Sequence, residues 1–201
     1  MDNLEIDLVS DLHIDQWSTN MINKYSCGPI KNVPMKWKIP SRPSILIVAG
    51  DISDNLKTSL DYLDSISIYY DSILFVEGNH EHVYKYPNLL EHQDIFYQTK
   101  ILENSKLIYL PIQGFVFKDI AIIGYCGWWN YSYGYDNAYF NNWIDKMDNP
   151  IMEKEFSKNV KLRALEEYRL LQDKISYYET SDDINQIIIV SHTVPLPAFS
   201  K

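Results

Sequence analysis

Four apolar runs, each ending abruptly in polar residues, set the pattern of this chain. Leu4 to Ser10 runs into Asp11-Leu12-His13, and Ile45 to Ala49 runs into Gly50-Asp51. Ile73 to Val76 runs into Glu77-Gly78-Asn79-His80, and Ile187 to Val190 into Ser191-His192. Short apolar runs rich in β-branched residues predict strands, and the continuous ones predict strands covered on both faces, as in a parallel sheet. Their polar ends then collect along one sheet edge, where open α/β folds place ligands.

Between these runs the spacing becomes helical. Leu56, Leu60, Leu63, Ile66 and Tyr70 predict a helix capped by Ser53 or Asp54 and running through about Tyr70. Pro87 opens a weaker helical stretch from about Asn88 to Glu103. A long helix is predicted from Phe156 to Tyr178, with Leu162, Leu165, Tyr168, Leu171, Ile175 and Tyr178 as one core-facing stripe. Leu107 to Leu110, Gly114 to Phe117 and Ile120 to Tyr125 predict short strands, the last two joined by a tight turn at Lys118-Asp119.

Two stretches break both periods. Residues 16–43 carry Pro29, Pro34, Pro40 and Pro43 and read as an irregular excursion that leaves the sheet at its polar edge. Trp17 and Trp37 read as pins holding that loop to the body, with a pocket wall as the alternative. Gly127 to Trp143 interleaves many aromatic rings with Asn and Gly. It reads either as a wall that stacks on a base or sugar or as a loop packed by its own side chains.

Composition narrows the class. At 201 residues, 46% apolar and 22% charged, the chain fits one α/β domain over 1–201. No run of about 18 apolar residues suggests a membrane span, and no basic-then-apolar leader opens the chain. Cys27 and Cys126 read as reduced thiols, which places the expectation in the cytoplasm. A net charge of −9 argues against a general nucleic-acid surface, while bound cations could still make an acidic protein receptive to an anion.

The strand ends bring Asp11, His13, Asp51, Asn79, His80 and His192 together as an oxygen and nitrogen donor set without thiolate. Such a set suits Mn, Fe, Zn or Mg. In this order, Asp11-Leu12-His13, Gly50-Asp51, Gly78-Asn79-His80-Glu81 and Ser191-His192 resemble the calcineurin-like metallophosphoesterase superfamily. The resemblance implies a four-layer α/β/β/α sandwich and a phosphomonoester or phosphodiester hydrolase with two divalent cations, manganese favoured. Asp11 and His13 would hold one ion, Asn79 and His192 the other, and Asp51 would bridge them, with a hydroxide between the ions as nucleophile. His80 is implied to contact the phosphoryl group and assist the leaving oxygen as the catalytic residue.

Glu81 reads as a residue orienting a ligand or as solvent-exposed, and His82 and His92 receive no role, His92 being expected on a helix surface. The family's closing Gly-His-x-His block has no counterpart here, nor have the later strands of its second sheet. Truncation or a second chain supplying those histidines is the favoured reading over degeneration of the site, and with fewer protein ligands per ion this chain is expected to bind metal more weakly than a longer version. Protein phosphatases of the superfamily carry an arginine just after the second Asp block. Gly50-Asp51-Ile52-Ser53-Asp54-Asn55 has none, which favours a nucleotide or other small phosphorylated substrate. The reading from another class is a non-catalytic interaction module that keeps the fold.

Overall fold

A computed structural model describes residues 4–16, 44–85, 88–128 and 153–193. Trp17, Cys27, Trp37 and the aromatic residues from 129 to 143 lie outside that set. Strand β1 (Glu5–Val9), β2 (Ser44–Ala49), β3 (Ser72–Val76) and β4 (Leu107–Tyr109) form one sheet in sequence order, every pair parallel. A second sheet joins β5 (Phe115–Phe117), β6 (Ile120–Tyr125) and β7 (Gln186–Ser191). There β5 and β6 are antiparallel across the turn, and β6 and β7 are parallel.

Alternation along β2 and β3 shows how the layers stack. Ile45, Ile47, Ala49, Leu74 and Val76 meet Leu110, Ile122 and Val190 between the two sheets. Leu46, Val48, Ile73 and Phe75 point the other way, onto the helical layer. That layer is α1 (Leu56–Ile66) and α2 (His92–Ile101), while α3 (Glu153–Glu179) packs on β6. The result is the expected α/β/β/α sandwich. Among the described residues no helix is long and apolar enough to cross a membrane. Cys126 is a buried free thiol.

The helices differ from expectation at their ends and on one face. Asn55, not Ser53 or Asp54, caps α1 by accepting from Thr58 N–H at 3.1 Å. Ser53 and Asp54 are engaged elsewhere, Ser53 with the Asn55 backbone and Asp54 with His80. The helix stops at Ile66 and tightens into a 3₁₀ turn at Ser67–Tyr69. α2 begins only at His92. On α3 the first half of the expected core stripe is overturned: Leu162, Leu165 and Tyr168 are exposed, whereas Arg163 and Glu167 are buried; Leu171, Ile175 and Tyr178 are half-buried. A charged network inside outweighs the apolar stripe in setting the rotation of this helix, which hydrophobic periodicity cannot register.

Leu63 is wholly enclosed by the helical layer and the first sheet. Leu63→Ala is expected to lower stability by about 2–5 kcal/mol, the usual cost of a Leu-sized core cavity. Urea unfolding followed by circular dichroism checks it; a loss below 1 kcal/mol would contradict the close packing described.

Candidate metal centre

The loops leaving β1 and β2 continue to pair after the strands end. Asp11 N–H donates to Gly50 O at 3.0 Å, His13 N–H to Asp51 O at 3.1 Å and Ile14 N–H to Ile52 O at 2.9 Å. Along this seam the backbone turns left-handed, with φ of 53° at Asp11, 43° at His13 and 56° at Asp51. Non-glycine residues held there cost of order 1–3 kcal/mol each and concentrate where function requires the geometry.

Glycine makes the approach of the third loop possible. A Cβ on Gly78 would stand 2.0 Å from Asp51 Oδ1, and one on Gly50 would stand 2.8 Å from both the Gly78 backbone and His192 Cγ. With both Cβ atoms absent, the ends of β2, β3 and β7 converge on Asp51.

Asp51 Oδ2 lies 3.4 Å from His192 Nε2, 3.7 Å from His80 Nε2 and 3.9 Å from His13 Nε2. Its Oδ1 accepts the His80 backbone N–H at 3.0 Å. Burial by itself would raise this carboxyl, but His192 and the hydrogen bond from His80 hold it below the usual carboxylate range. His192 responds in kind: burial opposes its charged form, and Asp51 overrides that and lifts it to about 9. Its Nδ1 donates to Ala49 O at 2.8 Å, which turns Nε2 toward Asp51.

Five of the six expected residues, Asp11, His13, Asp51, His80 and His192, therefore meet at one edge. Ligand atoms of Asp11, Asp51 and His192 lie within 4.8 Å of one another, as do those of His13, Asp54 and His80. Asp11 and His13 thus fall into different triads, with Asp51 Oδ2 close to both. Asn79 sits between Gly78 and His80 on the turn that binds Asp51, and its carbonyl accepts from His82 N–H at 3.2 Å. Asp54, which the sequence offers only as a helix cap, joins the site. It accepts from His80 Nδ1 at 2.5 Å, so the proton rests on Nδ1 and leaves Nε2 facing the centre. Its place three residues after Asp51, on the same loop, was the available signal.

The residues present fit divalent cations. Two carboxylates, an amide and imidazoles supply hard and borderline donors, and His13 Nδ1 is buried with no hydrogen-bond partner.

Glu81 proves to be buried and central to the loop geometry. Its carboxylate accepts from the N–H groups of Asp51, Ile52, Ser53 and Gly78 at 2.7–3.2 Å and from the Ser59 hydroxyl at 2.9 Å. One anion thus gathers the β2 and β3 exits.

Beneath the centre lies a second charged group. Arg163 Nη2 is 2.9 Å from Glu77 Oε1 and 3.0 Å from His92 Nδ1, and Tyr109 donates its hydroxyl to Glu77 Oε2 at 2.7 Å. His92 is therefore not on a helix surface but only 2% exposed. Ligand atoms of Glu77, His92 and Glu167 are also close enough for a metal, but the Arg163 guanidinium already supplies the positive charge among them. His82, fully buried, accepts from Leu90 N–H at 2.8 Å and packs edge-on against Trp128.

A left-handed seam of Asp and His residues at parallel strand ends thus offers donors suited to divalent cations. The model of the calcineurin-like phosphoesterase family matches residues 4–200, and the chain belongs to that family, whose members act on phosphoesters with divalent metals. No curated protein matches the sequence. Among solved structures, the chain is similar to phosphopantetheinyl hydrolase from Mycobacterium tuberculosis, with a TM-score of 0.58 and 18% identity over 96% of this chain and 69% of that one. At that identity the likeness supports the shared fold.

Burial depresses His82 to about 3 and His92 to about 4, so the folded state keeps both neutral while an unfolded chain protonates them near 6.5. Between pH 6.5 and 4 the unfolded state therefore binds more protons, and this part of the stability is lost as pH falls. Glu167, raised to about 7 by burial and by Glu77, acts with the opposite sign, so the histidine share is read by difference. His92→Gln is expected to show a shallower fall of Tm from pH 6.5 to 4 than the unsubstituted protein in calorimetry. Parallel curves would contradict the neutral buried imidazole.

Proposed function

We propose that this chain is a binuclear phosphoesterase acting on a small phosphorylated compound. The observation that carries the reading is the convergence of three imidazole Nε2 atoms on Asp51 Oδ2 while Asp54 braces the His80 ring from behind. Asp11, His13, Asp51, Asn79 and His192 would hold the cations, with Asp51 shared and manganese the favoured ion. Bound divalent cations supply positive charge for a phosphoryl group and make hydroxide available near neutral pH.

The chain's own groups do the rest. Glu81 fixes the loop that aims Asp51, and the Ala49 carbonyl orients His192. His80 keeps Nδ1–H on Asp54; with a second proton on Nε2 the imidazolium would donate that proton to the departing oxygen and return to the neutral Nδ1–H ring. The Asp54 carboxylate holds that tautomer and stabilises the charged ring. For substrate size, the position after Asp54 is relevant: Asn55 is committed to capping α1 and carries no cation toward a phosphoprotein. This supports a nucleotide or other small phosphate compound, with a phosphomonoester or a phosphodiester as the bond broken.

The alternative, a non-catalytic module, gives no reason for the bracing of His80 by Asp54. Both readings are separated by hydrolysis of p-nitrophenyl phosphate and bis-p-nitrophenyl phosphate with manganese, and in turn with iron, zinc and magnesium. His80→Ala is expected to lower kcat by about 10²–10⁴-fold with manganese binding retained, and Asp54→Asn to lower it less. Turnover unchanged by His80→Ala would remove the residue from the reaction, and no turnover of either ester with any of the four metals would favour the module.

A further inference from the structure

Glu167 repeats on the second sheet what Glu81 does on the first. It is buried on α3, and its carboxylate accepts from three successive backbone N–H groups after β6: Cys126 at 3.3 Å, Gly127 at 2.9 Å and Trp128 at 3.0 Å. That loop in turn carries the turn after β7. Cys126 O accepts from His192 N–H and Thr193 N–H, both at 3.1 Å, and the Thr193 hydroxyl donates to Gly127 O. His192 leaves this double attachment with Nδ1 on Ala49 O and Nε2 toward Asp51.

Arg163, one helical turn before Glu167, ties the arrangement to the other sheet. Its Nε lies 3.7 Å from Glu167 Oε1, and its Nη2 lies 2.9 Å from Glu77 Oε1, at the exit of β3 that leads to Asn79 and His80. Buried ion pairs contribute little net stability compared with apolar packing of the same volume. What this one does contribute is a fixed geometry between two loops that meet at the centre.

We propose that Glu167, held by Arg163, is a positioning residue of the metal centre: it clamps the 126–128 loop, and through that loop sets the orientation of His192 and the affinity for a divalent cation. This rests on the reading of His192 as a ligand. It adds a residue remote in sequence from every strand-end motif, acting from a helix that contributes no ligand. Removing a group that orients a metal ligand typically weakens metal binding by about 10–100-fold.

Glu167→Gln keeps the side-chain volume but turns an amide donor toward backbone donors, and Thr193→Ala loosens the same staple from its far end without touching a buried charge. Two readouts are taken on the full chain: imidazole resonances by heteronuclear NMR without metal, and manganese affinity by electron paramagnetic resonance titration. The expected result for Glu167→Gln is a shift of the His192 ring resonances with those of His13 and His80 held, and a manganese Kd raised about tenfold or more. Thr193→Ala is expected to move the same resonances in the same direction by less. A folded Glu167→Gln protein with unchanged His192 resonances and unchanged Kd overturns the proposal, as does a uniform shift of all histidines with unchanged Kd. If Glu167→Gln does not fold, unmoved His192 resonances in Thr193→Ala overturn it. Failure of the unsubstituted protein to bind manganese would instead sink the ligand assignment, since the metal-free resonances report the positioning separately.

Discussion

The Asp51 carboxylate is held charged in a place that disfavours charge. It is 4% exposed, and desolvation pushes it toward the neutral acid. His192 and His80 along one oxygen and the His80 backbone N–H on the other reverse that tendency. The need to bring those groups to one point explains the left-handed turns at Asp11, His13 and Asp51 and the absence of a Cβ at Gly50 and Gly78. Local backbone energy is given up there, and the two packed sheets behind the edge supply the stability that permits it.

Rigidity at the edge comes from below it. Glu81 gathers the exits of β2 and β3 with hydrogen bonds to backbone donors, and Glu167 does the same for the exit of β6. Both carboxylates lie in nests of N–H groups and supply acceptors that no apolar side chain could. Because each clamps backbone rather than a ligand side chain, the ligands keep their donor atoms available to a cation.

The parts that sequence made legible and the parts it did not follow from one distinction. Buried parallel strands are read by their apolar runs, and a polar residue right after such a run must lie at the strand end; Asp11, His13, Asp51, Asn79, His80 and His192 were accessible for that reason. Asp54 and Glu81 sit on the same loops, yet nothing in their spacing says that one braces His80 and the other binds backbone. Arg163, Glu167 and His92 were hidden further. They are charged or polar groups buried by one another, so a rule that places apolar residues inside put Leu162, Leu165 and Tyr168 there instead and set His92 on the surface.

The central claim is that Asp51 is shared by two cations. Anomalous diffraction from crystals soaked in manganese tests it most directly. The account predicts two peaks that both contact the Asp51 carboxylate, one of them also reaching His192; a single peak, or none touching Asp51, would contradict it.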